Sequence, residues 1–153
     1  MKPSIEVKEQ LYQACKKFAD ERIQSIQQVL ESIEEARNNE TRSSAGDKYE
    51  TGRSMMQIEA DNNNIQLHEA MQVKNTLQRI NPSRKTEQVE AGSLVATTQG
   101  NYYLSIGMGA VNMGNQSYYC VSVQSPIGRQ LIGKSSGDEI SINGMPIKIT
   151  GVC

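Results

Sequence analysis

Asp47 and Glu50 stand three residues apart in Gly46-Asp47-Lys48-Tyr49-Glu50, so a helical turn there would set both carboxylates on one side. Such a pair offers hard oxygen ligands, and an Asp following Gly serves equally well as an ordinary helix cap. Arg42, Lys48 and Arg53 surround the acids and could meet phosphates or neutralise carboxylates on a partner, or act as plain helix-surface charges. Tyr49 could stack on a base or pack on its own helices. Other chemistry is sparse. Cys15, Cys120 and Cys153 are far apart, no CxxC occurs, and the only histidine is His68, so zinc has no ligand set and free thiols in a reducing cytosol are expected. No GxGxxG stands between a strand and a helix, which removes the usual dinucleotide-binding reading. The letters of GxxxxGK (residues 128–134) and GxSxG (residues 133–137) occur between an expected short helix and an expected strand rather than in the strand-turn-helix setting those sites need, so the kinase and hydrolase readings have no support.

The chain of 153 residues allows one ordinary domain or two small ones. No run approaches the ~18 apolar residues that span a bilayer, and the charged start shows no signal peptide, so a cytoplasmic protein with no membrane partner is expected. A net charge of -1 argues against bulk, histone-like binding of nucleic acid. With no Trp and one Phe, a large aromatic-lined pocket is not expected either.

Composition changes near Asn81-Pro82-Ser83-Arg84. Through Lys85 the chain carries 13 Lys+Arg and 13 Asp+Glu but only two of the twelve glycines, which marks a helical piece followed by a β-rich one. Leu11, Cys15, Phe18, Arg22, Ile26, Val29, Ile33 and Ala36 recur at steps of three and four, a narrow seam along a helix of about residues 4–42. Ser4, with Glu6 and Glu9 behind it, suits the N-terminal cap. Met56, Ala60, Asn63, Leu67, Ala70, Lys74 and Leu77 form a second, weaker seam, with Ile65, Met71, Val73 and Ile80 beside it. The simplest arrangement is an antiparallel helical hairpin, a coiled coil over residues 1–81 with its tip near 43–51. Pairing inside one chain, hence a monomer, is favoured over a dimeric coiled coil by the break at Gly46 and the polar second seam.

After a linker at 82–88, residues 89–153 read as short strands near 93–98, 101–107, 117–124, 138–143 and 146–152. Gly107–Asn115 looks like a loop. Asn143-Gly144 is a strong hairpin turn, and Pro126 suits the first position of a short helix between Ser125 and Gly133. The fold class is therefore α+β.

Ser125-Pro126-Ile127-Gly128-Arg129-Gln130-Leu131-Ile132-Gly133-Lys134, followed by Gly137-Asp138-Glu139-Ile140, resembles the C-terminal signature of the Gre transcript-cleavage factors. Gly92-Ser93-Leu94-Val95 is similar to that family's first C-terminal strand. The resemblance covers roughly residues 120–152, and the acidic pair fits the family's G-D-x-x-E tip. It implies a coiled-coil hairpin followed by an FKBP-like domain, and a transcription elongation factor that binds bacterial RNA polymerase. The tip would enter the polymerase's secondary channel near the nascent RNA 3′ end. There Asp47 and Glu50 would help hold a Mg²⁺ shared with the polymerase, whose own active site cleaves backtracked RNA. On that reading the chain is an accessory factor, not an enzyme, and has no tightly bound cofactor. Two carboxylates alone bind Mg²⁺ poorly because it dehydrates reluctantly, so the polymerase must supply the rest of the site. Ser125, Pro126, Ile127, Gly128, Arg129 and Lys134 would offer a docking surface for the polymerase rim.

The sequence departs from the pattern in carrying Lys48-Tyr49 between the acids, Thr51-Gly52-Arg53 after them, and Gln130 where the family has a small residue. Relatives on the same scaffold occupy the channel and inhibit without stimulating cleavage, which is the alternative. A stand-alone FKBP-like isomerase or chaperone is less favoured, because its proline pocket needs aromatic walls and this half has four Tyr but no Phe or Trp.

Overall fold

The computed structural model describes residues 3–42 and 47–153, with side chains for 3–39 and 52–153. Two long helices come first, α1 (Ile5–Arg42) and α2 (Asp47–Gln78). Six strands follow, β1 (Leu94–Thr97), β2 (Gly100–Ser105), β3 (Gly109–Met113), β4 (Gln116–Ser122), β5 (Glu139–Ile142) and β6 (Met145–Val152), with a short helix α3 (Pro126–Leu131) between β4 and β5. The chain divides into two compact units: Ala19–Lys74 is one, and the chain up to Phe18 together with Asn75–Cys153 is the other.

Within the helical unit the two helices run antiparallel, since Lys74 pairs with Asp20 at 3.0 Å and Arg37 donates to Gln57 at 3.0 Å. Ile23, Ile26 and Ala70 are buried together, with Leu30 and Leu67 packed against them. The second seam holds along its main stripe, with Ala60 and Ala70 buried and Met56, Asn63, Leu67 and Lys74 half-buried, but Ile65 and Met71, expected beside it, are exposed. Its two polar members are accommodated, Lys74 by the ion pair with Asp20 and Asn63 by donating to the Glu59 carbonyl at 2.9 Å. His68 is on the surface beside Gln72.

The first seam needs correction. Phe18 and Val29 are each 40% exposed, and the buried line passes through Leu11, Cys15, Ala19, Ile23, Ile26 and Ile33 instead. Steps of four from Leu11 to Ile23 rotate the stripe around the helix, and the small Ala19 takes the inner position that the bulkier Phe18 was expected to fill. The hairpin connection is also shorter than expected. Residues 47–51 already belong to α2, which continues through Gly52. Residues 43–46 lie outside the described ones.

In the other unit, Ser4 caps α1, its hydroxyl accepting from the Val7 N–H at 3.3 Å. The sheet order is β3-β4-β2-β1-β6-β5, antiparallel throughout except for the parallel pair β2–β4. Gly107–Asn115 is not a loop: residues 109–113 form β3, an edge strand paired antiparallel with β4. Its hydrogen bonds are backbone to backbone, so a strand with few β-branched residues still forms when a partner holds it. The two residues between β3 and β4 are Gly114 and Asn115, with φ 62° at the glycine, as the first position of a II′-type connection requires. The expected Asn143-Gly144 turn joins β5 to β6 with positive φ at both residues, the I′ pattern.

Val89, Val95, Leu104, Leu131, Ile140, Ile147 and Ile149 form the core of this unit. On β2, where alternation turns it to the opposite face from Leu104, Tyr103 is fully buried and its hydroxyl has no hydrogen-bond partner among the described residues. An unsatisfied buried hydroxyl costs on the order of 1–3 kcal/mol, so Tyr103→Phe is expected to stabilise the protein by about 1 kcal/mol. Burial, chiefly, also holds the Tyr103 phenol well above its ordinary pKa. Above pH ~10 the unfolded chain therefore loses this proton first, and stability falls as pH rises. The Phe variant lacks that loss, so thermal melts of the two proteins should diverge further at alkaline pH. Equal melting temperatures at neutral pH would show that the hydroxyl is satisfied.

Candidate functional site

Asp47 and Glu50 occupy the first turn of α2. Their positions fall on one side of that turn by helical periodicity, which is the arrangement the sequence suggests. The side chains of Arg42, Asp47, Lys48, Tyr49 and Glu50 lie outside the described residues. Arg53, one turn further on, is exposed and engaged in an interaction of its own. Asp47 and Glu50 are a fit for part of a Mg²⁺ shell, since carboxylate oxygens suit that ion and a complete shell needs about six ligands.

The 125–134 segment is built from its first residue. The Ser125 side chain accepts from the Gly128 N–H at 3.1 Å and donates to the Ser122 carbonyl at 2.6 Å. Pro126 follows in the first helical turn, where a missing N–H costs nothing. Gly128 and Leu131 turn inward and are buried, while Ile127 packs on the edge of the core. The helix ends by docking on Val89: the Gly133 N–H donates to the Val89 carbonyl, and the Val89 N–H donates to the Lys134 carbonyl, both at 2.8 Å. Ser125, Pro126, Ile127 and Gly128 thus have structural tasks, and Arg129 presents an exposed charge with Lys134 half-exposed nearby. Gln130 also has a task, its side-chain oxygen accepting from the Ser141 N–H at the β5 edge at 3.2 Å. A small residue there could not make this bond.

The segment at 82–88 is tied down along its length. Ser83 donates to Glu9 at 2.9 Å, Thr86 and Ser93 share a hydroxyl hydrogen bond of 2.7 Å, and Gln88 bridges to Ser135.

All three cysteines are free and buried. The Cys15 thiol lies 3.4 Å from the Ser105 hydroxyl and shares a hydrogen bond with Cys120. That bond, with burial, holds the Cys120 thiol above its ordinary range, so it keeps its proton and acts as a core residue rather than a nucleophile. Among the described residues no three His, Cys, Asp or Glu side chains gather as a metal site. No described helix is long and apolar enough to cross a membrane.

Lys8 is the residue whose sequence context hides most. It is 1% exposed although charged, and its ammonium donates to the Arg84 carbonyl. Its only signal is spacing, three residues before Leu11 on the buried line of α1. Comparisons of the chain with protein-family models, curated proteins and solved structures found no match.

Proposed function

We propose that the protein is an RNA polymerase-binding elongation factor that stimulates the polymerase's own Mg²⁺-dependent cleavage of backtracked RNA. The observation that carries this reading is a combination. An antiparallel hairpin has Asp47 and Glu50 in the first turn of its second helix, and a six-stranded sheet unit follows with the capped Ser125-Pro126 helix. We assign the sheet unit to an FKBP-like domain on the resemblance of residues 125–140, a stretch that forms α3 and leads into β5.

The hairpin end enters the polymerase's secondary channel, and Asp47 and Glu50 contribute carboxylates to a Mg²⁺ whose other ligands belong to the polymerase and the RNA. When bound, that ion supplies the Lewis acidity for attack of water on the phosphodiester. Lys48 and Arg53 neutralise phosphates of the RNA 3′ end, and Tyr49 stacks on or beside a base. Arg129 and Lys134 meet the polymerase rim. The chain acts in the cytoplasm as a monomer and supplies no complete active site of its own.

The basic residues beside the acids favour a second reading, a factor that occupies the channel and slows synthesis without cleavage. Both readings require complex formation. Bacterial core RNA polymerase mixed with excess protein should co-elute with it in gel filtration, and Arg129→Glu should weaken that co-elution at least ~10-fold, since a reversed charge at an interface costs several kcal/mol. Separate elution of polymerase and protein would rule out both readings.

A further inference from the structure

A cleft of about 410 Å³ opens in the sheet-bearing unit, lined by Lys8, Thr76, Arg79, Asn81, Arg84 and Glu90 among others. The volume falls within the range of small-molecule sites, ~300–1,000 Å³. Its described charges are unbalanced. Three cations line it against a single carboxylate, Glu90, which already pairs with Arg84 at 3.2 Å.

Lys8 sharpens the imbalance. Its side chain is almost fully buried, its ammonium has one hydrogen bond, to the Arg84 carbonyl, and no carboxylate comes within ion-pair distance among the described residues. Burial lowers its pKa, while the pull of Cys153 and Glu90 acts the other way. A buried cation without a counter-charge is costly unless an anion compensates it. Arg79 is exposed on the cleft wall, where its planar fork matches the paired oxygens of a phosphate.

We propose that this cleft is a binding site for a small diphosphate-bearing molecule, held by Arg79 and Arg84 above the buried charge of Lys8. Among the described residues no aromatic side chain lines the cleft, so recognition is of the phosphates and not of a stacked base. A compact diphosphate fits both the volume and the surplus of positive charge. This site is independent of the polymerase reading and can be tested on the isolated full-length chain.

The test is calorimetric titration with inorganic pyrophosphate in dilute chloride buffer, without Mg²⁺, alongside a short single-stranded RNA. Saturable binding of pyrophosphate is expected, weakened at least ~10-fold by Arg79→Gln, because the neutral amide loses a charge-assisted bidentate bond. Lys8→Met keeps the buried stem volume and should weaken binding similarly. Lys148→Gln, on β6 and outside the cleft, should leave it unchanged, with circular dichroism confirming that each variant is folded. Absence of saturable binding, equal affinity in the Arg79 and Lys8 variants, or tighter binding of RNA than of pyrophosphate would each overturn the proposal.

Discussion

Leu131→Ala is expected to destabilise the protein by about 3 kcal/mol, within the ~2–5 kcal/mol that follows removal of a buried leucine side chain. Leu131 is fully buried in the cluster with Val89, Leu104 and Ile149, and it is the last residue of α3. Truncation leaves a cavity between that helix and the sheet which the Ser125 cap and the Val89 hydrogen bonds prevent from collapsing. The adjacent Ile132 is 40% exposed, so Ile132→Ala should cost under ~1 kcal/mol. Urea unfolding of the two variants reads the difference directly, as a shift in midpoint at similar slope. Comparable losses in both would mean that α3 does not present Leu131 to the core in the way described.

Asp47→Ala and Glu50→Ala should each reduce stimulated RNA cleavage at least ~100-fold while polymerase binding persists, because removing a group that stabilises transition-state charge typically costs ~10²–10³ in rate. The physical reason is the ligand count. With only two carboxylates on the first turn of α2, loss of either would, on the proposed reading, leave a Mg²⁺ shared with the polymerase short of protein charge. Little stability should change, since loss of a cap at the start of a helix is worth ~1 kcal/mol. Transcript-cleavage rates and a binding isotherm measured on the same preparations separate the two effects. Full activity in both variants would remove the metal role and leave the acids as helix caps.

Much of the fold is legible where a local rule decides the geometry. Asn143-Gly144 can only be a tight turn in that context, Ser125-Pro126 starts a helix because one residue caps it and the next is shaped for its first turn, and Ser4 starts α1 for the same reason. The second helical seam is legible even at Asn63 and Lys74, because polar residues can share a stripe when each finds a partner. What escapes is structure supplied by a distant segment. Nothing within Gly107–Asn115 asks for a strand; β4 provides the edge on which β3 forms. The parallel insertion of β4 beside β2 is equally invisible, since it depends on which edge of the sheet is free.

The same distinction holds for the candidate sites. The i, i+3 spacing of Asp47 and Glu50 is a local feature and survives as the first turn of α2. The Lys8 cleft is not local: Lys8 comes from α1, Arg79 and Arg84 come from the stretch after α2, and each alone reads as an ordinary surface charge. At Phe18 hydrophobicity misleads instead: the large side chain suits a seam by type, yet it is 40% exposed while its small neighbour Ala19 is buried.

The most direct test of the proposed function is transcript cleavage in a backtracked elongation complex of bacterial RNA polymerase, with Mg²⁺, in the presence and absence of this protein. The proposal expects accelerated release of short RNA fragments from the 3′ end, abolished by Asp47→Ala. An unchanged cleavage rate with the protein saturating the polymerase would contradict it, and slowed nucleotide addition in the same reaction would identify a channel-occupying inhibitor instead.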